Sequence, residues 1–166
     1  MHSISTIGYE GASIEAFVYT LGVAGVDVVV DVRDVAASRR PGFSKSALRQ
    51  HLAMAGIEYL HLRSLGDPKE GREAMRRGDR AEFRRVFLRR MESEEAQVQF
   101  AAAVELAGQR SIALLCYERD PKDCHRTIIA EMMKEQRSFA IRHLGVHSHR
   151  RIVEAEASKG DFSPVR

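Results

Sequence analysis

The chain has no tryptophan, few cysteines and no long apolar stretch. It contains two cysteines, and no apolar run approaches the roughly 18 residues that a membrane-spanning helix needs. The first five residues include neither a basic region nor a long apolar region, so we expect no secretory signal. Because two cysteines without an export signal usually remain a reduced thiol pair, we predict a cytoplasmic protein with no membrane segment.

Neither sign of charge is in large excess. The 26 lysines and arginines are set against 23 aspartates and glutamates, which gives a formal net charge of +3. This mildly basic balance permits phosphate or nucleic-acid partners without indicating them. Arginine greatly outnumbers lysine, and its planar guanidinium suits bidentate contacts with phosphate or carboxylate groups.

Short apolar runs alternate with longer amphipathic segments along the chain. The runs predict strands at 4–7, 26–32, 57–62, 112–116 and 139–144, and the longer segments predict helices at 14–21, 45–55, 79–92, 94–107 and 124–136. Segment 66–78 is rich in glycine, proline and charge, so we predict a loop there. The alternation predicts one α/β, three-layer domain over residues 1–149, with a mostly parallel sheet flanked by helices, and a polar C-terminal tail over 150–166.

Polar motifs follow four of the predicted strands. They are Gly8-Tyr9-Glu10, Asp31-Val32-Arg33, Arg63-Ser64-Leu65-Gly66 and Cys116-Tyr117-Glu118. Ligands of open α/β sheets bind at the carboxyl ends of the strands, so these motifs predict a single polar cleft. Both cysteines fall close to it in sequence, since Cys124-His125-Arg126 opens the helix that follows the fourth motif.

Taken together, these motifs resemble the domain-of-unknown-function 488 family. The resemblance covers residues 5–136 and is carried by Thr6-Ile7-Gly8-Tyr9, Val30-Asp31-Val32-Arg33, Ser38-Arg39 with Phe43, Gly56-Ile57-Glu58-Tyr59, Leu65-Gly66, and Leu114-Leu115-Cys116-Tyr117-Glu118 with Cys124-His125-Arg126. It implies a compact three-layer α/β domain with the motifs gathered around one cleft, and it implies no settled activity. The family often has histidine where this chain has Tyr9, and glycine where it has Asp67, so no role is carried over to those two positions.

Cys124 is the candidate nucleophile. In the first turn of a helix, unpaired backbone N–H groups and the helix dipole favour a thiolate, and His125 and Arg126 would add to that effect. The alternative is a small buried residue that packs the helix on the sheet. Neither cysteine is followed six residues later by the arginine of a phosphatase-like loop, and a rhodanese-like loop fails on the same spacing.

The sequence does not predict a metal site. Seven residues separate Cys116 from Cys124, whereas structural zinc sites usually show paired short spacings, so a shared metal or a disulfide is weakly supported. A second histidine group, His143, His147 and His149, is interpreted as part of a solvated tail.

Arginines are the candidate anion ligands. Arg33 and Arg126 would form a pocket with backbone N–H groups, while Asp31 and Glu118 would orient them or act as general acid and base. The alternative is an internal salt-bridge network. The loop from Ser38 through Arg39 to Phe43 would clamp a phosphate and stack a base on Phe43, unless Phe43 only anchors the loop.

The leading hypothesis is a protein that binds or processes a phosphate-bearing ligand, either a nucleotide or a nucleic acid. One alternative is a thiol-dependent enzyme that uses Cys124. Another is a non-catalytic nucleic-acid binder that uses the arginines from Arg72 to Arg90, among which Arg76, Arg80 and Arg84 would share one helix face, although interleaved glutamates favour a solvated surface there. The predicted catalytic residues are Cys124, Glu118 and Asp31, and the predicted ligand-binding residues are Gly8, Tyr9, Arg33, Ser38, Arg39, Phe43, Cys116, His125 and Arg126. Cofactors and oligomeric state stay open.

Overall fold

Five parallel strands form the centre of the protein. The computed structural model describes residues 2–147 and Glu154, and in that part the strands are β1 (Ser3–Gly8), β2 (Val28–Asp31), β3 (Glu58–His61), β4 (Ile112–Cys116) and β5 (Ala140–Leu144). They lie side by side in the order β3-β2-β4-β1-β5, and each neighbouring pair is parallel. The predicted parallel α/β sheet is therefore confirmed.

Six helices accompany the sheet in the described residues. They are α1 (Ile14–Val23), α2 (Lys45–Met54), α3 (Lys69–Arg76), α4 (Arg80–Met91), α5 (Glu94–Gln109) and α6 (His125–Gln136). Side chains of Ser13, Asp79 and Ser93 accept hydrogen bonds from backbone N–H groups of the first turns of α1, α4 and α5, which stabilises those helix starts. No helix in the described residues is long and apolar enough to cross a membrane.

Successive residues of the central strands enter two different cores. On one face, Val28 and Val30 of β2 pack with apolar residues of α4, α5 and α6. On the other, Val29 packs with residues of α1 and α2. Helices on both faces bury the strands completely, which explains their nearly continuous apolar sequence and confirms the three-layer architecture.

Three local predictions are wrong. Segment 66–78 contains α3 rather than only a loop, and Gly78, at a φ of 76°, separates α3 from α4. Arg76, Arg80 and Arg84 therefore do not share one helix. Cys124 is the N-cap of α6 instead of lying in its first turn, because Asp120 caps a short 3₁₀ turn at Pro121–Asp123. The predicted tail, except for Glu154, lies outside the described residues.

Candidate functional site

A cleft of about 670 Å³ lies at the carboxyl ends of β1, β2 and β4, next to α3 and the start of α4. Its buried lining residues are here called the floor, and its exposed ones the mouth. The floor consists of Tyr9, Arg33, Asp67, Phe83, Cys116 and His125, and the mouth includes Val35, Arg76, Arg80 and Tyr117. Half-buried Glu118 lines the cleft between them. A volume of this size suits a small-molecule ligand.

Asp31, Arg33 and Tyr59 form a closed group, here called the carboxylate–arginine cluster. Arg33 donates from Nε to Asp31 Oδ1 at 2.9 Å and from Nη2 to Asp31 Oδ2 at 2.7 Å, and the Tyr59 hydroxyl donates to Oδ2 at 2.6 Å. The third nitrogen of the Arg33 guanidinium, Nη1, donates to the carbonyl of Phe43 at 2.7 Å. Burial and the carboxylate of Asp31 raise the pKa of Tyr59 well above its usual range. The cluster is an internal network, and the anion-binding role of Arg33 stays a prediction.

Arg126 and Gly8 both hold the loop that follows β4. The Arg126 side chain is buried and donates from Nη1 to the Glu118 carbonyl at 2.5 Å and from Nη2 to the Arg119 carbonyl at 3.3 Å. A Cβ on Gly8 would lie 1.8 Å from the same Glu118 oxygen, so only glycine lets β1 approach this closely. Both residues thus position Glu118, which lines the cleft.

The loop after β2 contributes its aromatic residue to the core. Phe43 is fully buried, stacked on Tyr9 with ring centroids 4.4 Å apart, and Arg39 is exposed and absent from the cleft lining. Ser38 is half-buried, and its backbone carbonyl accepts a hydrogen bond of 3.0 Å from the Ser44 hydroxyl. The structure therefore brings Tyr9 to the cleft. Ser38 and Phe43 stabilise the loop, and neither they nor Arg39 line the cleft.

Cys116, Cys124 and His125 form a second buried group, here called the thiol cluster. His125 Nδ1 lies 3.6 Å from Cys116 Sγ and 3.8 Å from Cys124 Sγ. On the other side of the ring, Nε2 donates to the Val32 carbonyl at 2.7 Å. Cys116 also donates to the Glu118 carboxylate at 3.0 Å. The end of β4 and the start of α6 meet here, so residues that are eight or nine positions apart in sequence are in contact.

The protonation of the thiol cluster follows from its burial. Burial raises the pKa of both thiols, which does not favour a free thiolate. Burial opposes a charge on His125 as well, but Cys124, the Val32 carbonyl and Asp67 together raise its pKa to about 9. Cys124 does not line the cleft, whereas Cys116 does. Of the two cysteines, Cys116 is therefore the one placed to meet a ligand.

Asp67 was not a predicted site residue, yet it belongs to the floor. Its side chain is buried, and Oδ1 has no hydrogen-bond partner among the described residues. Burial raises its pKa to about 6, against the lowering effects of His125, Arg72 and Arg90. The sequence signal was a charged residue directly after the Leu65-Gly66 motif, where the family often has a second glycine.

Arginines surround the outer part of the cleft. Asp34 lies 2.9 Å from Arg90, 3.4 Å from Arg72 and 3.9 Å from Arg63, so one carboxylate faces three guanidinium groups. Arg76 is exposed in the mouth and has no ion pair with a residue in the described part of the chain. The nucleic-acid surface predicted over 72–90 stays a prediction.

His143 and His147, the described members of the second histidine group, do not gather into a site. His143 lies on β5 and is 2.7 Å from the Thr6 hydroxyl, so it belongs to the sheet and not to a tail. His147 packs edge-on against Tyr19, and His149 lies outside the described residues.

Comparison with known proteins identifies a family. A family model described as "Domain of unknown function DUF488" matches residues 13–133, a span that contains most of the cleft-lining segments. No curated protein and no solved structure matches the chain.

Proposed function

The chain belongs to the DUF488 family, whose description names no activity, and we propose from its cleft that it binds a phosphate-bearing small molecule and acts on it with acidic floor groups. A nucleotide is the first candidate. The observation that carries this proposal is the group of arginines around Asp34 at the outer cleft, next to the buried carboxylate of Asp67, whose Oδ1 lacks a protein partner in the described residues.

The charge of the outer cleft supports an anionic ligand. The three guanidinium groups around Asp34 exceed its single negative charge, and Arg76 adds a cation without a carboxylate partner in the described residues. Arginine donors match phosphate oxygens in pairs, and such contacts are stronger when partly shielded from water. Arg76 and Arg72 are therefore the proposed phosphate ligands, because both line the cleft without being buried, whereas Arg33 and Arg126 are buried and donate to protein oxygens.

The apolar part of the lining supports a ligand with a flat ring. Tyr117 is 48% exposed in the mouth, and its ring meets the buried ring of Tyr9 edge-on with centroids 5.3 Å apart. Phe83 and Met75 also line the cleft. An exposed aromatic face close to arginines is a typical surface for stacking a nucleobase. The lining thus suits a nucleotide better than a bare sugar phosphate.

Asp67 and Glu118 are the proposed acid–base pair. With a pKa of about 6, Asp67 exchanges protons near neutral pH, as a general acid or base must. Glu118 lines the cleft beside the Cys116 thiol, on a loop that Gly8 and Arg126 hold in place. Asp31 has its oxygens occupied by Arg33 and Tyr59, so we assign it a positioning role.

Calorimetric titration with ATP, AMP, adenosine and inorganic phosphate tests the proposal. We expect ATP or AMP to bind and adenosine to bind at least about 10-fold more weakly, since it lacks the charge-assisted contacts. Arg76→Ala should weaken nucleotide binding about 10-fold, whereas Arg84→Ala, an exposed arginine of α4 outside the cleft lining, should leave it unchanged. Absence of binding by every phosphorylated compound, or equal losses in both variants, would refute the proposal.

A thiol-dependent enzyme is the second candidate, and one observation favours it. Cys116 lines the cleft 3.6 Å from His125 and 3.0 Å from the Glu118 carboxylate, so a proton acceptor, Glu118, lies within reach of a thiol at the cleft wall. In reduced, chelator-treated protein, iodoacetamide should modify Cys116 faster than Cys124, as measured by peptide mass spectrometry. Equal slow modification of both thiols would remove this candidate.

A further inference from the structure

We infer that the thiol cluster is a binding site for Zn²⁺, held by Cys116 Sγ, Cys124 Sγ and His125 Nδ1. These three atoms lie within 4.8 Å of one another, and the two sulfur–nitrogen separations are 3.6 and 3.8 Å. Zinc bonds of about 2.3 Å to sulfur and about 2.1 Å to nitrogen, at a tetrahedral angle, require a sulfur–nitrogen separation of about 3.6 Å. The three atoms are thus spaced to share one ion.

The orientation of His125 is that of a metal ligand. Its Nε2 donates to the Val32 carbonyl at 2.7 Å, which leaves the lone pair of Nδ1 directed toward the two sulfur atoms in the neutral ring. Metal-binding histidines usually donate their second nitrogen to a carbonyl or carboxylate in this way. Packing of the ring against Phe87, with centroids 5.3 Å apart, holds the same orientation.

The types of ligand and their burial select the metal. Two sulfur atoms and one imidazole nitrogen are soft or intermediate donors, which favour zinc over magnesium or calcium. All three side chains are at most 5% exposed, so a bound ion would be shielded from bulk water. The short-spacing rule for cysteine pairs did not predict this site, because its ligands come from the end of β4 and the start of α6.

Three protein ligands leave a fourth position on the ion. Cys116 and His125 line the cleft, and Glu118 lies 3.0 Å from Cys116 Sγ, so the free position faces the cleft and this carboxylate. Structural zinc sites use four protein ligands, whereas catalytic sites use three and keep one position for water or substrate. With three protein ligands, the thiol cluster has the composition of a catalytic zinc site. Binding of the ion itself does not depend on the phosphate-bearing ligand proposed above.

Metal loading of the purified full chain tests the inference. After reduction and chelation, the protein is loaded with Zn²⁺ or Co²⁺, desalted, and analysed for metal content by mass spectrometry. We expect one ion per chain. The Co²⁺ protein should show the visible bands of tetrahedral cobalt and a near-ultraviolet thiolate-to-cobalt absorption. Zinc should also protect both cysteines from iodoacetamide, and chelator should restore their reaction.

Four variants identify the ligands. Cys116→Ser, Cys124→Ser and His125→Gln should each lose stoichiometric binding and the thiolate absorption. His61→Gln is the matched control, because His61 Nε2 donates to the neighbouring Arg33 carbonyl at 2.7 Å but belongs to no group of three metal ligands in the described residues. It should keep one ion per chain. Circular dichroism measures whether each variant folds. If one variant does not fold, the protection of both thiols by zinc in the unsubstituted protein still tests the inference.

Three results would overturn the inference. The first is reduced, folded protein that retains no zinc or cobalt after desalting. The second is a bound ion that survives the three ligand substitutions, and the third is a cobalt spectrum without thiolate absorption. Because the metal alone is the probe, failure here leaves nucleotide binding untouched. Conversely, a protein that binds zinc but no nucleotide refutes only the proposed function.

Discussion

Two buried polar clusters lie at the same edge of the sheet and differ in how completely the protein satisfies them. In the carboxylate–arginine cluster, both oxygens of Asp31 and the side chains of Arg33 and Tyr59 have partners. In the floor around the thiol cluster, Asp67 Oδ1 has none among the described residues. An unpaired buried polar atom costs stability, so Asp67 does not hold the fold together in the way that Asp31 does.

The two clusters are joined through one short segment. Side chains on either side of Val32 enter the carboxylate–arginine cluster, while the Val32 carbonyl accepts the hydrogen bond that orients His125. The carboxylate–arginine cluster thus holds in place the backbone segment whose carbonyl orients His125 of the thiol cluster. The first cluster therefore serves the fold, whereas the second is the one that the proposed zinc and ligand binding would use.

The largest expected effect comes from breaking the closed cluster. Asp31→Ala leaves the buried Arg33 guanidinium without its carboxylate, which should lower the free energy of unfolding by about 3–5 kcal/mol. Urea denaturation measures this loss. Glu131→Ala, an exposed carboxylate on α6, is the control and should change stability by less than about 0.5 kcal/mol. A loss below about 1 kcal/mol for Asp31→Ala would show that the network is not structural.

A smaller effect should follow from removing one hydrogen bond of the same cluster. Tyr59→Phe deletes the donor that lies 2.6 Å from Asp31, and hydrogen bonds to charged groups contribute about 1.5–3 kcal/mol. We expect a loss of about 2 kcal/mol in urea denaturation. Tyr19→Phe is the matched control, because the half-buried Tyr19 hydroxyl has no hydrogen bond in the described part of the chain. Equal losses in both variants would mean that ring environment, and not this bond, sets the effect.

The sequence predicts those features that depend on residues close together in the chain, and it does not predict those that depend on tertiary contacts. Strand β4 and the start of α1 at Ile14 depend on neighbouring residues, so the sequence predicted both. Arg33 is internal because it donates to Asp31 and to the Phe43 carbonyl, and the Tyr59 hydroxyl, 28 positions from Asp31 in sequence, completes the cluster through a tertiary contact. The three proposed metal ligands lie together only because the loop after β4 returns α6 to the sheet. Spacing rules for single loops do not describe such a site, and Asp67 was missed for the same reason.

The smallest effect should be a gain of stability, and it concerns Asp67 in the floor beside the thiol cluster. Burial raises the pKa of Asp67 from 3.8 to about 6. The charge of Glu118 also raises this pKa, whereas the charges of His125, Arg72 and Arg90 lower it. Because the folded state holds this proton more tightly than the unfolded state, the carboxylate lowers stability as pH rises from about 4 to about 6. The cost is absent below that window and complete above it.

Asp67→Asn should therefore stabilise the protein at pH 7.5 and leave it nearly unchanged at pH 4. With allowance for screening by the open cleft, we expect about 1 kcal/mol, or a rise in Tm of about 2–4 °C at pH 7.5. Thermal unfolding of the chelator-treated protein at the two pH values measures it, with Asp31→Asn as the contrast, since loss of the partnered carboxylate should destabilise at pH 7.5. If Asp67→Asn also destabilised at pH 7.5, Asp67 would belong with the satisfied groups of the fold, and the distinction between the two clusters would fail.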